Sequence, residues 1–275
     1  MHISEAEIRN RYLTVSSEYN TTPLAVDDGW VHSPTELGLL ELQKVVQHLP
    51  KNGVFLDIGT GMGIAPRFVR QLGVRTISVD SLAAAGKSAI ENVKLAGVEG
   101  YFCDVTREHI PLEEGTVDCV LFADVIEHLI HSPKPVLQEI SRTLKPSGVC
   151  IATTPNATRL TVRLKVLMGY SNWANIDEYF DCDFHAGHHH EYTIEEFKAV
   201  FSKSGFDVAD FVLYEDNLRN VKIEGLGDLK TQDRSRTKRE SEPLLAMAGK
   251  RLLLSLTTLF PQLRSNMLLV ARKPA

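Results

Sequence analysis

Short apolar runs and amphipathic segments alternate along most of the chain. The runs, rich in aliphatic and β-branched residues, are Val54–Ile58, Arg75–Asp80, Val98–Val105, Val117–Ala123, Val149–Thr154 and Phe206–Tyr214. Segments with helical spacing separate them. Strands this continuously apolar, separated by helices of ~10–15 residues, form parallel sheets that are covered on both faces. The pattern therefore predicts an α/β, doubly wound domain.

The first 50 residues predict helices instead of strands. Ser4–Glu7 is a capping box that opens an amphipathic segment. A second cap at Ser33–Glu36 precedes another apolar stripe, which Pro50 ends. We therefore expect an N-terminal helical cap at residues 1–50 and the main domain at residues 51–275.

The run at Val54 leads into a glycine-rich turn. Gly59, Gly61 and Gly63 follow it, and a helical pattern begins at Ile64. Glycine can take positive φ angles and let a ligand approach the main chain, while the first N–H groups of a helix are unpaired. This predicts a nucleotide-binding turn. A dinucleotide site needs G-x-G-x-x-G, but Ile64 occupies the third glycine position, and Asp57 before the turn suits a ligand with an ammonium group.

Acidic residues stand at the ends of the next runs. Asp80 ends the second run, where a carboxylate can accept both hydroxyl groups of a ribose. Cys103-Asp104 follows the third run and Ala123-Asp124 the fourth. Together with Asp57–Gly63, these motifs resemble in order and spacing those of class I S-adenosylmethionine-dependent methyltransferases, over about residues 45 to 215.

The resemblance implies a fold and a set of cofactor contacts. The fold would be a Rossmann-like, seven-stranded, mostly parallel sheet whose last strand is antiparallel and lies beside the sixth. Asp57 would bind the ammonium group, Asp80 the ribose and Asp104 the adenine amino group. The full predicted set is Asp57, Gly59, Thr60, Gly61, Gly63, Asp80, Ser81, Cys103, Asp104, Val105, Ala123 and Asp124. Taken alone, Asp104 or Asp124 is better explained as a cap or turn acid, but their shared position after successive strands favours the cofactor.

Two segments would be insertions into that fold. Residues 155–192 would lie on the acceptor side, and residues 218–264 would separate the sixth strand from the last. Within the second, residues 226–242 carry many charges and almost no apolar side chains, which predicts a mobile loop. Leu244–Phe260 has one apolar face, which we expect to pack on the protein or on a second copy in a homodimer. Its polar face has too few cations for firm binding to an anionic membrane.

Histidines supply the candidate catalytic bases. Methyl transfer is a one-step displacement, so the protein aligns the reactants and supplies a base if the acceptor must lose a proton. His128 follows the fourth strand, and the same Glu-His pair occurs there in ubiquinone-type methyltransferases. His188, His189 and His190 precede Tyr192-Thr193, as in sugar and small-molecule O-methyltransferases of the superfamily. The alternative for His128 is a structural histidine that supports its loop.

The histidine-rich segment Asp181–Glu191 also raises the question of a metal site. Imidazole and carboxylate groups are ligands for zinc and similar ions. Three adjacent histidines cannot all point at one ion on a regular element, and no second ligand pair occurs at a known spacing. The sequence therefore predicts no metal.

Composition limits the function classes. The formal net charge of −5 argues against a nucleic-acid partner, and no apolar run is long enough to span a bilayer. The chain starts without the basic and apolar regions of a secretory signal, so we expect a cytoplasmic protein. The four cysteines, Cys103, Cys119, Cys150 and Cys182, are far apart and suggest neither disulfides nor zinc.

The sequence therefore predicts an S-adenosylmethionine-dependent enzyme that methylates oxygen on a small molecule such as a sugar or secondary metabolite. N- or C-methylation, or a non-catalytic protein that binds S-adenosylmethionine, are the alternatives. A nicotinamide dehydrogenase is disfavoured by the glycine spacing and by the lack of a Tyr-x-x-x-Lys pair placed for hydride transfer.

Overall fold

The fold was obtained as a computed structural model, which describes residues 3–20, 34–81, 86–172, 176–181, 187–216 and 244–275. The strands are β1 (Val54–Ile58), β2 (Arg75–Asp80), β3 (Glu99–Phe102), β4 (Val117–Ala123), β5 (Leu144–Pro155), β6 (Asp207–Tyr214) and β7 (Asn266–Arg272). The helices are α1 (Glu5–Asn20), α2 (Glu36–His48), α3 (Ile64–Gln71), α4 (Gly86–Leu95), α5 (Lys134–Thr143), α6 (Leu160–Leu167), α7 (Ile176–Asp181), α8 (Ile194–Lys203) and α9 (Leu244–Leu259).

The strands form one sheet in the order β3-β2-β1-β4-β5-β7-β6. Neighbours from β3 to β5 are parallel, while β7 runs antiparallel to both β5 and β6. The predicted Rossmann-like sheet with an antiparallel last strand is confirmed.

Two strands differ from the sequence prediction. β3 is shorter, because beyond Phe102 the chain turns at Asp104, whose carboxylate accepts a hydrogen bond from the Thr106 N–H. β5 is longer, because the expected turn at its start remains paired: Leu144 lies opposite Val117 across a register shift, and Ser147 takes a φ of 64°. Cys182, the Ser33 cap position and the predicted loop at 226–242 lie outside the described residues.

The N-terminal helices cover one face of the sheet. Side chains alternate along β1, so Leu56 and Ile58 face the core shared with α5 and α8, whereas Phe55 faces the core shared with α1, α2 and α3. Val15 of α1 and Val45 of α2 are fully buried there. Thr35 caps α2 by accepting a hydrogen bond from the Gly38 N–H. Asp57 therefore points toward the face that α2 covers. The domain boundaries at residues 50 and 51 stay a prediction.

Helix α9 exposes much of its apolar surface. Leu252 and Leu259 are largely exposed, and Thr257 is its most buried side chain among those described. The second copy expected to cover this helix stays a prediction. No helix of the described part of the chain is long and apolar enough to cross a bilayer.

Candidate active site

A cavity of about 260 Å³ lies between α2 and the carboxyl edge of the parallel strands. Its lining comes from α1, α2, the glycine turn and the end of β4, and includes Tyr12, Glu41, Asp57, Thr60, Gly63 and Asp124. A shallower depression of about 530 Å³ lies at His109–Glu113 and Arg142. Two of its side chains, Arg142 and His109, are already paired with Glu139. The smaller cavity is the candidate site because it joins the strand ends where α/β proteins bind ligands.

The glycine turn follows β1 as predicted, but its glycines have different tasks. Their φ angles are 77° at Gly59, 51° at Gly61 and 71° at Gly63. A Cβ at Gly59 would lie 2.3 Å from Val125 Cγ2, and one at Gly63 would lie 2.4 Å from Val93 Cγ1. At Gly61 the nearest atom is a carbonyl oxygen 3.9 Å away. Gly59 and Gly63 therefore let the turn pack against its own protein, and Gly61 leaves room for a ligand.

Asp57 places a buried carboxylate in the cavity. Its side chain is buried, and its Oδ2 atom has no hydrogen-bond partner among the described residues. Burial, together with the smaller effect of the nearby carboxylate of Asp80, raises the pKa of Asp57 to about 8. A buried carboxylate oxygen without a partner fits a cationic ligand group, as the ammonium of S-adenosylmethionine would be.

Asp80 and Thr60 hold the turn in place. Asp80 Oδ2 accepts a hydrogen bond from the Gly61 N–H at 3.3 Å, and Oδ1 accepts one from the Ser81 N–H at 2.7 Å. Burial raises the pKa of Asp80, although these backbone bonds oppose the rise. The Thr60 hydroxyl donates to the Val79 carbonyl oxygen at 3.3 Å. Asp80 thus orients the turn from the position where a ribose contact was predicted.

The Cys103-Asp104 motif after β3 makes contacts within the protein. The Cys103 thiol is buried and donates to the His109 carbonyl oxygen, and Val105 packs against the same core. Asp104 Oδ1 accepts hydrogen bonds from the Thr106 N–H at 3.0 Å and its hydroxyl at 2.5 Å. Asp104 therefore serves as a turn acid here, and its contact with adenine stays a prediction.

Asp124 and Glu41 face each other across a threonine. Asp124 follows Ala123 with a φ of 50°, and its N–H donates to the Thr153 carbonyl oxygen at 3.1 Å. The Thr153 hydroxyl lies 2.9 Å from Glu41 Oε1 and 3.2 Å from Asp124 Oδ1. Sequence reasoning missed Glu41. The signal was a charged residue one turn from Leu37 and Val45, on the buried face of α2.

Glu127, the acidic residue of the Glu-His pair, was not predicted as a site residue. It lies in the 3₁₀ turn Ile126–His128 and is 1% exposed. Its Oε2 accepts a hydrogen bond from the Thr154 hydroxyl at 3.0 Å, but Oε1 has no hydrogen-bond partner among the residues described. Burial, together with the smaller effect of Asp124, raises the pKa of Glu127 to about 8.

Backbone contacts bring the histidine segment to Glu127. The N–H groups of His189 and His190 donate to the Glu127 carbonyl oxygen at 2.7 and 3.2 Å. This places His188 Nε2 4.0 Å from Glu127 Oε1. The ring of His128 packs edge-on against that of His188, with 4.8 Å between centroids, and its Nδ1 lies 3.2 Å from the Gly187 carbonyl oxygen. Two of the four predicted histidines therefore share one cluster.

Glu191 fixes the orientation of His188. Its Oε1 lies 2.9 Å from His188 Nδ1, and its Oε2 pairs with Arg159 at 2.6 Å. Burial alone would raise the pKa of Glu191, but hydrogen bonds from His188 and Arg159 lower it to about 2. The hydrogen bond to Glu191 raises the pKa of His188. The His190 side chain is exposed, and its ring contacts Tyr192 instead.

The same cluster bears on the question of a metal. Ligand atoms of Glu127, His128 and His188 lie within 4.8 Å of one another. Bonds to zinc are ~2.0–2.2 Å long, so these atoms would have to move inward to share one ion. The absence of a metal stays a prediction, which chelation can test.

Comparison with known proteins supplies the family context. A family model described as a methyltransferase domain matches residues 36–210. The dimethylglycine N-methyltransferase of Parasynechococcus marenigrum (strain WH8102) is 28% identical over 136 residues, which cover 48% of each chain. The ubiquinone biosynthesis O-methyltransferase of Parvibaculum lavamentivorans (strain DS-1 / DSM 13023 / NCIMB 13966) is 30% identical over 104 residues, 38% of this chain and 41% of the relative. This chain thus spans less than half the length of either relative.

A solved structure agrees in fold. The SAM-dependent methyltransferase from Archaeoglobus fulgidus aligns with a TM-score of 0.54 and 20% identity, over 86% of this chain and 94% of that chain. At this identity the likeness concerns the fold alone.

The packing of Gly63 leads to a stability prediction. Gly63→Ala should destabilise the protein by ~1–3 kcal/mol more than Gly73→Ala, because overpacking adds to the cost of a positive φ. Gly73 is the matched control: its φ is 77°, and no atom lies within 4 Å of its added Cβ. In the Gly63→Ala protein, the second substitution Val93→Ala should recover part of the lost stability. Equal free energies of unfolding in urea for the two glycine variants would contradict this account.

Burial of Asp57 leads to a pH prediction. A carboxyl group with a higher pKa in the folded protein lowers the free energy of unfolding as pH rises from ~4, its unfolded value, to its folded value. For Asp57 the folded value is about 8. Asp57→Asn should therefore raise the Tm of the ligand-free protein at pH 8.5 by ~2–4 °C, and by less at pH 5.5.

The control for this comparison is Asp207→Asn, since Asp207 is an exposed residue at the start of β6. Its Tm difference from wild type should not follow the same pH trend. A lower Tm for Asp57→Asn than for wild type at pH 8.5 would show that the ionised carboxylate does not destabilise the folded protein.

Proposed function

Because the chain belongs to the methyltransferase domain family, we propose that it transfers a methyl group from S-adenosylmethionine to an oxygen atom of a small molecule, such as a sugar or secondary metabolite. Family membership confirms the class I methyltransferase resemblance and, with it, S-adenosylmethionine as the cofactor. The choice of oxygen rests on the cluster of Glu127 and His188.

Residues of the cavity and of the adjoining glycine turn fit this cofactor. The unpartnered Oδ2 of Asp57 receives the ammonium group, Asp80 receives the ribose hydroxyls, and the open Gly61 main chain lets the methionine part approach. Bound S-adenosylmethionine supplies a methyl group already activated by the positive sulfur. The protein then has to place the acceptor and remove its proton.

The gap between Glu127 and His188 is the observation that carries the proposal. At 4.0 Å, Glu127 Oε1 and His188 Nε2 are too far apart to hydrogen-bond to each other. A hydroxyl group that lies beside both atoms can donate its proton to His188 Nε2 and accept a hydrogen bond from the protonated Glu127, whose pKa is raised to about 8. Glu191 holds the proton of His188 Nδ1, which leaves Nε2 as the acceptor for the hydroxyl proton. The negative charge of Glu191 then stabilises the imidazolium that forms.

The other predicted bases receive different roles. His128 supports the ring of His188 from the side. His189 and His190 act through their backbone N–H groups, which fasten the segment to Glu127. His188 is therefore the proposed base, and the other three are positioning residues.

An amine acceptor is the second candidate. One curated relative carries an N-methyltransferase name, and a cationic amine beside Asp124 would favour the ionised form of Glu127. A small-molecule acceptor without nucleic acid, the homodimer and the cytoplasmic location remain predictions.

Transfer of labelled methyl groups tests the function. Wild-type protein incubated with labelled S-adenosylmethionine and a small-molecule cell extract should label a product whose methyl group NMR places on oxygen. A methyl group on nitrogen would favour the amine reading. Binding of S-adenosylmethionine without turnover on any extract would favour a non-catalytic protein.

Histidine variants test the mechanism. His188→Ala should lower kcat by ~10²-fold or more, the scale of a general base, with cofactor affinity near wild type. His189→Ala and His190→Ala keep the backbone N–H groups that donate to Glu127, so kcat should fall far less. His131→Ala, at an exposed histidine, is the control and should also leave kcat near wild type. The wild-type rate should fall as pH drops through a value above the ordinary ~6.5, since Glu191 raises the pKa of His188. Full activity of His188→Ala, or loss of wild-type activity with EDTA, would overturn this assignment.

A further inference from the structure

Glu41 brings a third carboxylate into the cofactor cavity. It reaches in from α2, opposite Asp57 at the end of β1 and Asp124 after β4. Its Oε1 contacts the Thr153 hydroxyl, which also contacts Asp124. Neither the sequence motifs nor the proposed mechanism uses this residue.

Hydrogen-bond accounting favours a proton on the Glu41–Asp124 pair in the ligand-free protein. A threonine hydroxyl has one proton to donate and can accept another. If Glu41 is protonated, it donates to the Thr153 hydroxyl, which donates to Asp124, so both contacts of this hydroxyl are hydrogen bonds. If both carboxylates are ionised, the single hydroxyl proton can be donated to only one of them at a time. The shared hydroxyl therefore favours a protonated Glu41 over two ionised carboxylates when no cation is present.

The surroundings of Glu41 favour the same arrangement. Burial raises the pKa of Glu41 to about 8, with Asp124, Asp57 and Asp216 acting in the same direction. Tyr12 faces it from α1, and burial raises the pKa of that phenol too, so it is neutral at pH 7. The charged side chains that act on Glu41 among the described residues are thus carboxylates, and a positive ligand would favour its ionised form.

We propose that Glu41 makes the cavity prefer the positively charged methyl donor over the neutral-sulfur product, S-adenosylhomocysteine, by releasing its proton to solvent when the sulfonium is bound. This inference rests on the proposed function. Donor and product share the ammonium group that Asp57 receives, and they differ in charge at sulfur. Asp57 therefore gives affinity for both molecules, and Glu41 discriminates between them.

Calorimetry with donor and product tests the proposal. Glu41→Gln keeps the shape of the protonated acid, and its amide can still donate to Thr153. It should weaken S-adenosylmethionine binding about tenfold, the effect of one lost charge pair at partial screening, and S-adenosylhomocysteine binding less than about threefold. Asp57→Asn should weaken both ligands alike. Glu36→Gln, which changes an exposed carboxylate of the same helix paired with Arg9, should change neither.

Proton release gives an independent readout. Titrations at pH 7 in two buffers of different ionisation enthalpy count the protons released on binding. Wild type should release more protons with the donor than Glu41→Gln does, while the two proteins should release equal numbers with the product. In wild type, the preference for donor over product should grow as pH rises toward about 8 and then level off, because Glu41 is then already ionised.

The outcomes separate the inference from the function on which it rests. Failure of wild type to bind either molecule would reject the proposed function itself. Tight binding of both with equal losses in Glu41→Gln would keep the function and overturn the inference, since Glu41 would then contact a part that both ligands share. If Glu41→Gln does not fold, a wild-type preference that is independent of pH would overturn it as well.

Discussion

Acidic side chains are buried at the carboxyl edge of the sheet, where solvent cannot stabilise their charges. Asp57 cannot move away from the cavity, because β1 is paired on both sides, with Ser78 and Leu121 as its neighbours in register. The fold therefore holds an acid in a place where its charge is poorly solvated. A ligand cation relieves that cost, so ligand binding and stability of the folded protein are coupled.

Alternation along β5 divides the edge into two compartments. Thr153 and Thr154 are consecutive and point to opposite faces of the sheet. The Thr153 hydroxyl reaches Glu41 and Asp124 beneath α2, while the Thr154 hydroxyl reaches Glu127 beside the histidines. Asp124 raises the pKa of both Glu41 and Glu127, so its charge acts on both compartments. The cofactor can thus bind on one face of the sheet and the acceptor on the other, and both can reach the same carboxyl edge.

The sequence predicted what depends on local pattern. The strand Val117–Ala123 and the glycine turn occur where expected, because apolar runs and glycine spacing are local signals. The roles of Glu41 and Glu127 depend on which distant segments pack against them, and a single sequence does not contain that information. The adjacent histidines show the same limit: their spacing did not reveal that His188 faces Glu127 while His190 faces Tyr192.

A structure of the protein with bound S-adenosylmethionine would show whether the unpartnered Oδ2 of Asp57 anchors the cofactor. We expect the ligand ammonium at hydrogen-bonding distance from that oxygen, ~2.7–3.2 Å, with Glu41 on the same side of the cavity. A ligand bound elsewhere, or one whose ammonium is turned away from Asp57, would rule out this role of Asp57.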